Sequence, residues 1–550
     1  MFKKTKEPQL NMFSSPSSLL SGKSQKLYED NAAWHNQFRQ QVTFQIDENL
    51  FKSLYCSNNG TPNSPIRVLI AMMILKEAEG LSDQKLFENC RFNMLTRSAI
   101  GLVNADDIVP TESTYYLFRK RIVEDEKAGN ENLLSVVFSQ VTKKQCTDFE
   151  VSGKRIRMDS KLLGSNIAWL SRYEIIHETF RLFYNEVKQL GKIDQVTTEV
   201  LEGLLKLEGN KITYTCSSDE VKTRLQQLGE LIYQVLPLFS ATNSIHNQTL
   251  KKVFDQQFKV DENKIVIARD KEEITAQSVQ SPHDTDSTYR NKGGNGIKGY
   301  SINITESCDD GEVLNLIGHV DVREASASDL DFLQDDIKKV EEVFTAKVHA
   351  VHADGNYNSK SNQAFCKDAN RNIELLLHSI QGAPGRYNLD LVDNELVVLD
   401  TLTNQLLPSK KRLRNGKGCW QVKVEKGYRY FTQKEIDTCS LRKKIAEIPL
   451  EVLQKRNNVE ATIFQLAYHY PNAKSRYRGL IKHQMWANIR CLWMNFVRLF
   501  NFMEKSPTNP AFSETKLFVS HRVSCFYAFQ PFIMGIFLNN YVKFRKIKFS

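Results

Sequence analysis

The chain has 550 residues, 41% of them hydrophobic and 25% charged, which describes ordinary soluble globular material long enough for several domains. The formal net charge of +10 fits either a polyanionic partner or a merely basic cytosolic protein. Ten scattered cysteines without a CxxC pair exclude a zinc ribbon and a disulfide framework and fit a reducing compartment. Residues Met1–Phe13 lack the apolar run of a signal peptide, and Phe526–Leu538, interrupted by Gln530, Pro531 and Gly535, is too short to span a bilayer. The expectation is a cytoplasmic protein, nucleoid-associated if it binds DNA, with no membrane partner.

Residues 1–60 are polar and Ser-rich, and read as an arm with one short helix. From Pro65, Val68, Leu69, Met72, Met73 and Leu75 recur at helical spacing until Gly80. Ser82 caps a helix over Asp83–Asn89, another follows at Met94–Ile100, and Thr111 is placed to cap Tyr115–Val123. That last helix carries Arg119, Lys120 and Arg121 beside Tyr115, Tyr116 and Phe118. An all-α domain over 61–150 with a basic, aromatic final helix suits a helix-turn-helix DNA reader; a small bundle with a solvated charged face is equally compatible.

The period changes to two at Arg155–Leu162, with Ile156 and Met158 on one face and Arg157 and Asp159 on the other. A helical insertion follows over 165–258, with amphipathic runs Ile176–Val187 and Leu225–Val235 and a capping box at Ser217 and Glu220. Strand pattern returns at Gly299–Thr305 and, after the turn Asp309–Gly311, at Glu312–Val320. Ser328 and Asp331 open a helix with Leu333, Ile337, Val340 and Phe344 on one stripe, and a strand Lys347–Asp354 ends at Gly355. Residues 373–445 form a β-rich insertion, beginning with Ile373–His378. Helices over Asn457–Tyr468 and Ile481–Phe500 close a domain of 151–505, and 506–550 form a tail.

Acidic residues thus stand at the ends of two strands, Asp159 and Asp354, and near the start of a late helix, Glu460. A single aspartate at a strand end is by itself a turn or cap residue. Three carboxylates converging from adjacent strands and a helix repel one another and need cations. Magnesium, with its preference for oxygen ligands and open positions, suits them, and two ions roughly 3.5–4 Å apart activate the attacking oxygen and stabilise the leaving one in phosphoryl transfer.

Several segments carry a specific resemblance. Pro65–Ile70, Gly80–Leu86, Arg97–Gly101 and Pro110–Arg119 are similar to the N-terminal module of DDE transposases of bacterial insertion sequences. Arg157–Ser160 resembles that family's first catalytic strand, Asp284–Ser287 with Lys298–Tyr300 the lead into its second strand, and His352–Ser359 its second catalytic motif. Arg456-x-x-x-Glu460-x-x-x-Phe464, followed by Arg476–Leu480, resembles the third. The resemblance covers roughly residues 44–499.

It implies an α/β chain with an RNase H-like mixed sheet core and an inserted β-rich region before the last catalytic helix. It further implies an N-terminal end-binding module, catalysis by Asp159, Asp354 and Glu460 on two Mg²⁺ ions with Mn²⁺ able to substitute, and a homodimer on double-stranded DNA. Two family positions differ: a lysine seven residues after the glutamate is Ala467 here, and a tyrosine three before the arginine is Leu453. Phosphate binding then falls to Arg456, Lys474, Arg476 and Arg478, or the copy is impaired. Alternative functions are a domesticated or decayed DNA-binding copy and a structure-selective RNase H-like nuclease.

Other residues carry two readings each. Glu451 rivals Glu460. His352 either touches phosphate or is a satisfied strand histidine, Asp284 and Asp286 cap a loop, and Lys298 either reaches DNA or is solvated. The cluster Lys410–Arg414 with Lys417 is a DNA-backbone contact or an exposed hairpin. Trp420 packs the inserted sheet, and Trp486 and Trp493 sit at core spacing.

Overall fold

Side-chain caps set the starts of the last four helices of the N-terminal region. Helices α1 (Gly22–Glu29), α2 (Trp34–Gln41), α3 (Ile66–Glu79), α4 (Asp83–Phe92), α5 (Met94–Ala99), α6 (Glu112–Lys127) and α7 (Leu133–Asp148) follow in order. Ser82, Asn93, Thr111 and Asn132 each accept a backbone N–H of the first turn that would otherwise be unpaired. Every residue of α3 from Ile66 to Ala78 is buried, so it is a central helix and not an amphipathic surface one.

These elements come from a computed structural model that describes residues 1–6, 14–191, 205–239, 244–311, 313–414 and 416–505. The tail 506–550, Cys525 and part of the helical insertion lie outside the described residues. The chain forms two compact units, Met1–Phe149 with the chain from Asn488, and Glu150–Ala487.

Two features of the first unit differ from the sequence reading. Residues 1–60 are not merely an arm: Phe38 and Phe51 are fully buried, and the buried Glu48 accepts hydrogen bonds from the backbone N–H groups of Thr5 and Arg67. Helix α7, which the sequence reading leaves unassigned, buries Leu134, Val137, Phe138 and Val141.

The second unit opens with β1 (Arg155–Gly164) and a helical insertion, α8 (Arg172–Gln189), α9 (Gly209–Thr215), α10 (Ser218–Val235) and α11 (Ile245–Gln257), followed by the hairpin β2 (Phe258–Val260) and β3 (Val266–Ala268). The insertion has its own core, in which Ile176, Phe180 and Phe183 meet Leu228, Ile232 and Phe254. Then come β4 (Thr288–Lys292), β5 (Asn295–Ser307), β6 (Ile317–Glu324), α12 (Phe332–Phe344), β7 (Ala350–Ala353), α13 (Lys360–Lys367) and β8 (Glu374–Leu377).

The main sheet has the order β6-β5-β1-β7-β8, with β4 also paired to β5. β5 runs antiparallel to β1 and β6, while β7 is parallel to both β1 and β8. β8 therefore belongs to the central sheet, correcting its placement in the β-rich insertion. Parallel pairing needs a crossover, which α13 supplies.

The insertion proper comprises β9 (Tyr387–Val392), β10 (Glu395–Asp400), β11 (Gln405–Leu407), β12 (Ser409–Arg414), β13 (Lys417–Val424), β14 (Gly427–Thr432) and α14 (Gln433–Glu447). Trp420, Val422, Phe431 and Ile436 share its core. Helices α15 (Leu450–Gln454), α16 (Asn457–Leu466) and α17 (Leu480–Lys505) follow. The division between the two units falls within α17.

Candidate active site

Alternation along β1 puts Arg157 and Asp159 on the same face of the sheet. The parallel pairing of β1 with β7 ends with Arg157 opposite His352, two residues before Asp159 and Asp354 on their strands. The two carboxylates therefore stand level on adjacent strands: Asp354 lies just past the end of β7, whereas Asp159 lies within β1, paired with Ile304 of β5, and not at a strand end as the sequence suggested. Asp354 turns the chain into a short 3-10 segment, accepting from the Gly355 N–H at 2.7 Å and from Asn356 Nδ2 at 3.2 Å. A Cβ at position 355 would lie 2.0 Å from the Ser379 carbonyl oxygen, so this turn requires glycine.

The helix bearing Glu460 is docked by a buried ion pair. Arg157 Nε donates to Glu306 Oε1 at 2.6 Å, Thr462 of α16 donates to Glu306 Oε2 at 2.9 Å, and Arg157 also donates to the Lys455 carbonyl at 3.1 Å. One turn away, Arg456 contacts Asp159 Oδ2 at 3.1 Å and Glu460 Oε1 at 3.0 Å. Glu460 itself is 54% exposed.

Burial raises the pKa of Asp159, with Asp354 adding to the rise; Arg456, the Ser160 N–H and Lys292 oppose it. Among the described residues Asp159, Asp354 and Glu460 are not gathered within 4.8 Å of one another. The cluster that meets that spacing is His319, Asp321 and Asp336. An open cleft of about 430 Å³ beside the Asp354 turn is lined by residues including Arg290, Asn356, Gln381 and Lys434.

The predicted nucleic-acid contacts separate into exposed and committed groups. Lys474, Arg476 and Arg478 are exposed on the segment before α17; Lys474 donates to the Ile167 carbonyl and Arg478 to the Asn166 carbonyl. Lys298 is not presented at the surface: it is buried, donates to the Leu170 carbonyl at 2.9 Å and lies 4.6 Å from the Trp169 ring. In the first unit Lys120 is exposed, while Arg119 lies over Tyr115 and Arg121 over Tyr55. Lys410–Arg414 form the exposed strand β12, and Trp420 is buried behind it.

Asp284 is more than a loop cap, since it is buried and accepts from the Tyr300 and Ser165 hydroxyls. Asp286 caps α17 by accepting from the Leu480 N–H. His352 is buried, with burial pushing its pKa down to about 4, but its Nε2 has no hydrogen-bond partner, so it is not a satisfied strand histidine. Glu451 is exposed on the short helix α15, and Ala467 is buried at the end of α16.

Sequence reasoning missed Glu306 and Lys292. Glu306 falls within a strand without any local motif. Lys292 stands at the tip of the β4–β5 hairpin, where Gly293 and Gly294 take the positive φ values that such a tight turn needs. The Lys292-Gly-Gly-Asn turn was a legible signal.

The described structure is a mixed α/β fold with a mixed sheet and many helices, none of them long and apolar enough to cross a membrane. Residues 27–121 match the family described as transposase domain (DUF772), which supports a transposase. The chain has no significant match among curated proteins or among solved structures.

Proposed function

We propose that the chain is a DDE transposase with an RNase H-like catalytic domain, which binds the ends of its mobile element, cleaves there and transfers the strand to target DNA. The observation that carries this reading is the parallel β1–β7 pair. It sets Asp159, within β1, level with Asp354 at the end of the adjacent β7, beside the helix that presents Glu460. The strand order, three antiparallel strands continued by two parallel ones, supports the RNase H-like assignment.

The donor set is all oxygen and carries more negative charge than Arg456 alone balances, which fits Mg²⁺, or Mn²⁺ in its place, held by Asp159, Asp354 and Glu460. When bound, two such ions supply activation of the attacking oxygen and charge relief on the leaving one. The chain's own residues position the substrate. Lys292, Lys474, Arg476 and Arg478 offer cations to the phosphates, and Arg456 is poised to exchange its carboxylate partners for a phosphate. Lys120, with Arg119 and Arg121, lies on the helix assigned to end recognition. A homodimer on double-stranded DNA, nucleoid-associated, completes the reading.

The test compares wild type with Asp159→Ala, Asp354→Ala and Glu460→Ala for binding and Mg²⁺-dependent nicking of DNA carrying the element ends. The expected outcome is specific nicking by wild type and a loss of at least ~10³-fold in each variant, with binding retained. Binding without nicking by wild type overturns the catalytic assignment and leaves a DNA-binding protein; nicking indifferent to the terminal sequence points to a structure-selective nuclease.

A further inference from the structure

The other face of the sheet, under α12, carries charged groups that the proposed chemistry does not use. Thr305 and Asn303 of β5 pair directly with His319 and Asp321 of β6, so all four side chains point to one face. Asp336 of α12 comes down on them fully buried. Its Oδ2 accepts from Asn303 Nδ2 at 2.6 Å and from the Thr305 hydroxyl at 2.9 Å. Its Oδ1 is buried with no hydrogen-bond partner. A carboxylate oxygen left bare in the interior is costly, and a native fold has a reason for it.

That oxygen faces His319 Nε2 at 3.8 Å, and ligand atoms of His319, Asp321 and Asp336 all lie within 4.8 Å of one another. The side chains of His319 and Asp321 are 20% and 22% exposed, which leaves an entry path. Arg323 holds Asp321 from outside, donating to its Oδ2 at 2.7 Å.

We propose that His319, Asp321 and Asp336 form a second metal site, structural and separate from Asp159, Asp354 and Glu460, for one transition-metal dication of the Zn²⁺ class. One imidazole and two carboxylates suit zinc, with a water completing four-coordination. Ligands about 2.1 Å from a tetrahedral ion sit roughly 3.4 Å apart, so the 3.8 Å separation closes with a small side-chain adjustment. Arg323 and the pair Asn303 and Thr305 are the outer shell that orients the ligating carboxylates.

The ion's role is to pin α12 to the β5–β6 hairpin. Asn303 also accepts a hydrogen bond from the buried hydroxyl of Tyr357, three residues beyond Asp354. The site therefore braces the turn that carries Asp354, and it stands whether or not the three carboxylates across the sheet are catalytic.

The test uses full-length protein carrying Asp159→Ala, Asp354→Ala and Glu460→Ala together, stripped with chelator and titrated with Zn²⁺ by calorimetry and with Co²⁺ by visible absorbance. The expected result is one equivalent bound, a raised Tm and a Co²⁺ spectrum showing nitrogen ligation. His319→Gln, at a partly exposed position, is expected to lose the spectrum and to weaken binding by more than the roughly 10–100-fold typical of an outer-shell partner. Asp336→Asn is expected to do the same; if it does not fold, His319→Gln decides. No binding by the stripped protein, or binding unchanged in His319→Gln, overturns the proposal.

Discussion

On the face of the central sheet that carries Asp159, the buried charges Arg157 and Glu306 satisfy each other, and Thr462 takes the remaining carboxylate oxygen. Under α12, on the opposite face, Asp336 has one oxygen bonded by neutral donors and the other bare, and burial, with Asp321 nearby, pushes its pKa up. The two faces belong to the same strands, yet one closes its charge internally and the other leaves it open. An internal ion pair locks a helix in place, whereas an open carboxylate calls for something from outside the chain: a proton or a metal ion.

Breaking the closed face is expected to give the largest effect. Arg157→Ala leaves Glu306 buried without its cation and should cost about 3–5 kcal/mol in denaturant unfolding of the second unit. Arg157→Met combined with Glu306→Leu should return most of that loss. If the single and double variants are equally unstable, the ion pair is not what docks α16.

Arg456 sharpens the comparison at the edge of the same face, where it stands between Asp159 and Glu460 as a movable cation. Arg456→Gln should raise Mn²⁺ affinity in the absence of DNA by about tenfold, the equivalent of ~1.4 kcal/mol of removed competition, while weakening DNA binding. Calorimetric titration with and without DNA reads both effects; an unchanged Mn²⁺ affinity would show that Arg456 does not compete.

Glu126, in the first unit, asks whether partial burial alone perturbs a carboxyl away from the sheet. It is half-buried against Asn132, and its pKa is raised to about 7 by burial. The folded state therefore binds this proton more tightly than the unfolded one, and the resulting stability is lost as pH rises from about 4.5 to about 7. Glu126→Gln should be neutral near pH 4 and stabilising at pH 8 by about 1–2 kcal/mol, discounted for its exposure. Thermal melts at the two pH values check the sign.

Sequence alone determined the features that local periodicity and capping encode. Ile156 and Met158 alternating with Arg157 and Asp159 marked β1, Ser217 with Glu220 and Ser328 with Asp331 marked helix starts, and Asp354 could be read at the end of its strand, whereas Asp159, read at a strand end, lies within β1. A period of two or of 3.6 is a property of neighbouring residues, so it survives without knowledge of the fold.

Tertiary structure alone decided which strand β8 joins, that Lys298 turns inward, that Asp284 serves Tyr300, and that Glu306 anchors the helix carrying Glu460. Each depends on a partner far along the chain. Arg157 meets Glu306 across 149 positions and Arg456 meets Asp159 across 297. The fate of a charge is set by what surrounds it in space, through desolvation and pairing, and no local pattern records that. For the same reason the His319–Asp321–Asp336 cluster left no motif: two of its members share a strand by simple alternation, and the third arrives from a helix whose apolar stripe is the only part its sequence advertises.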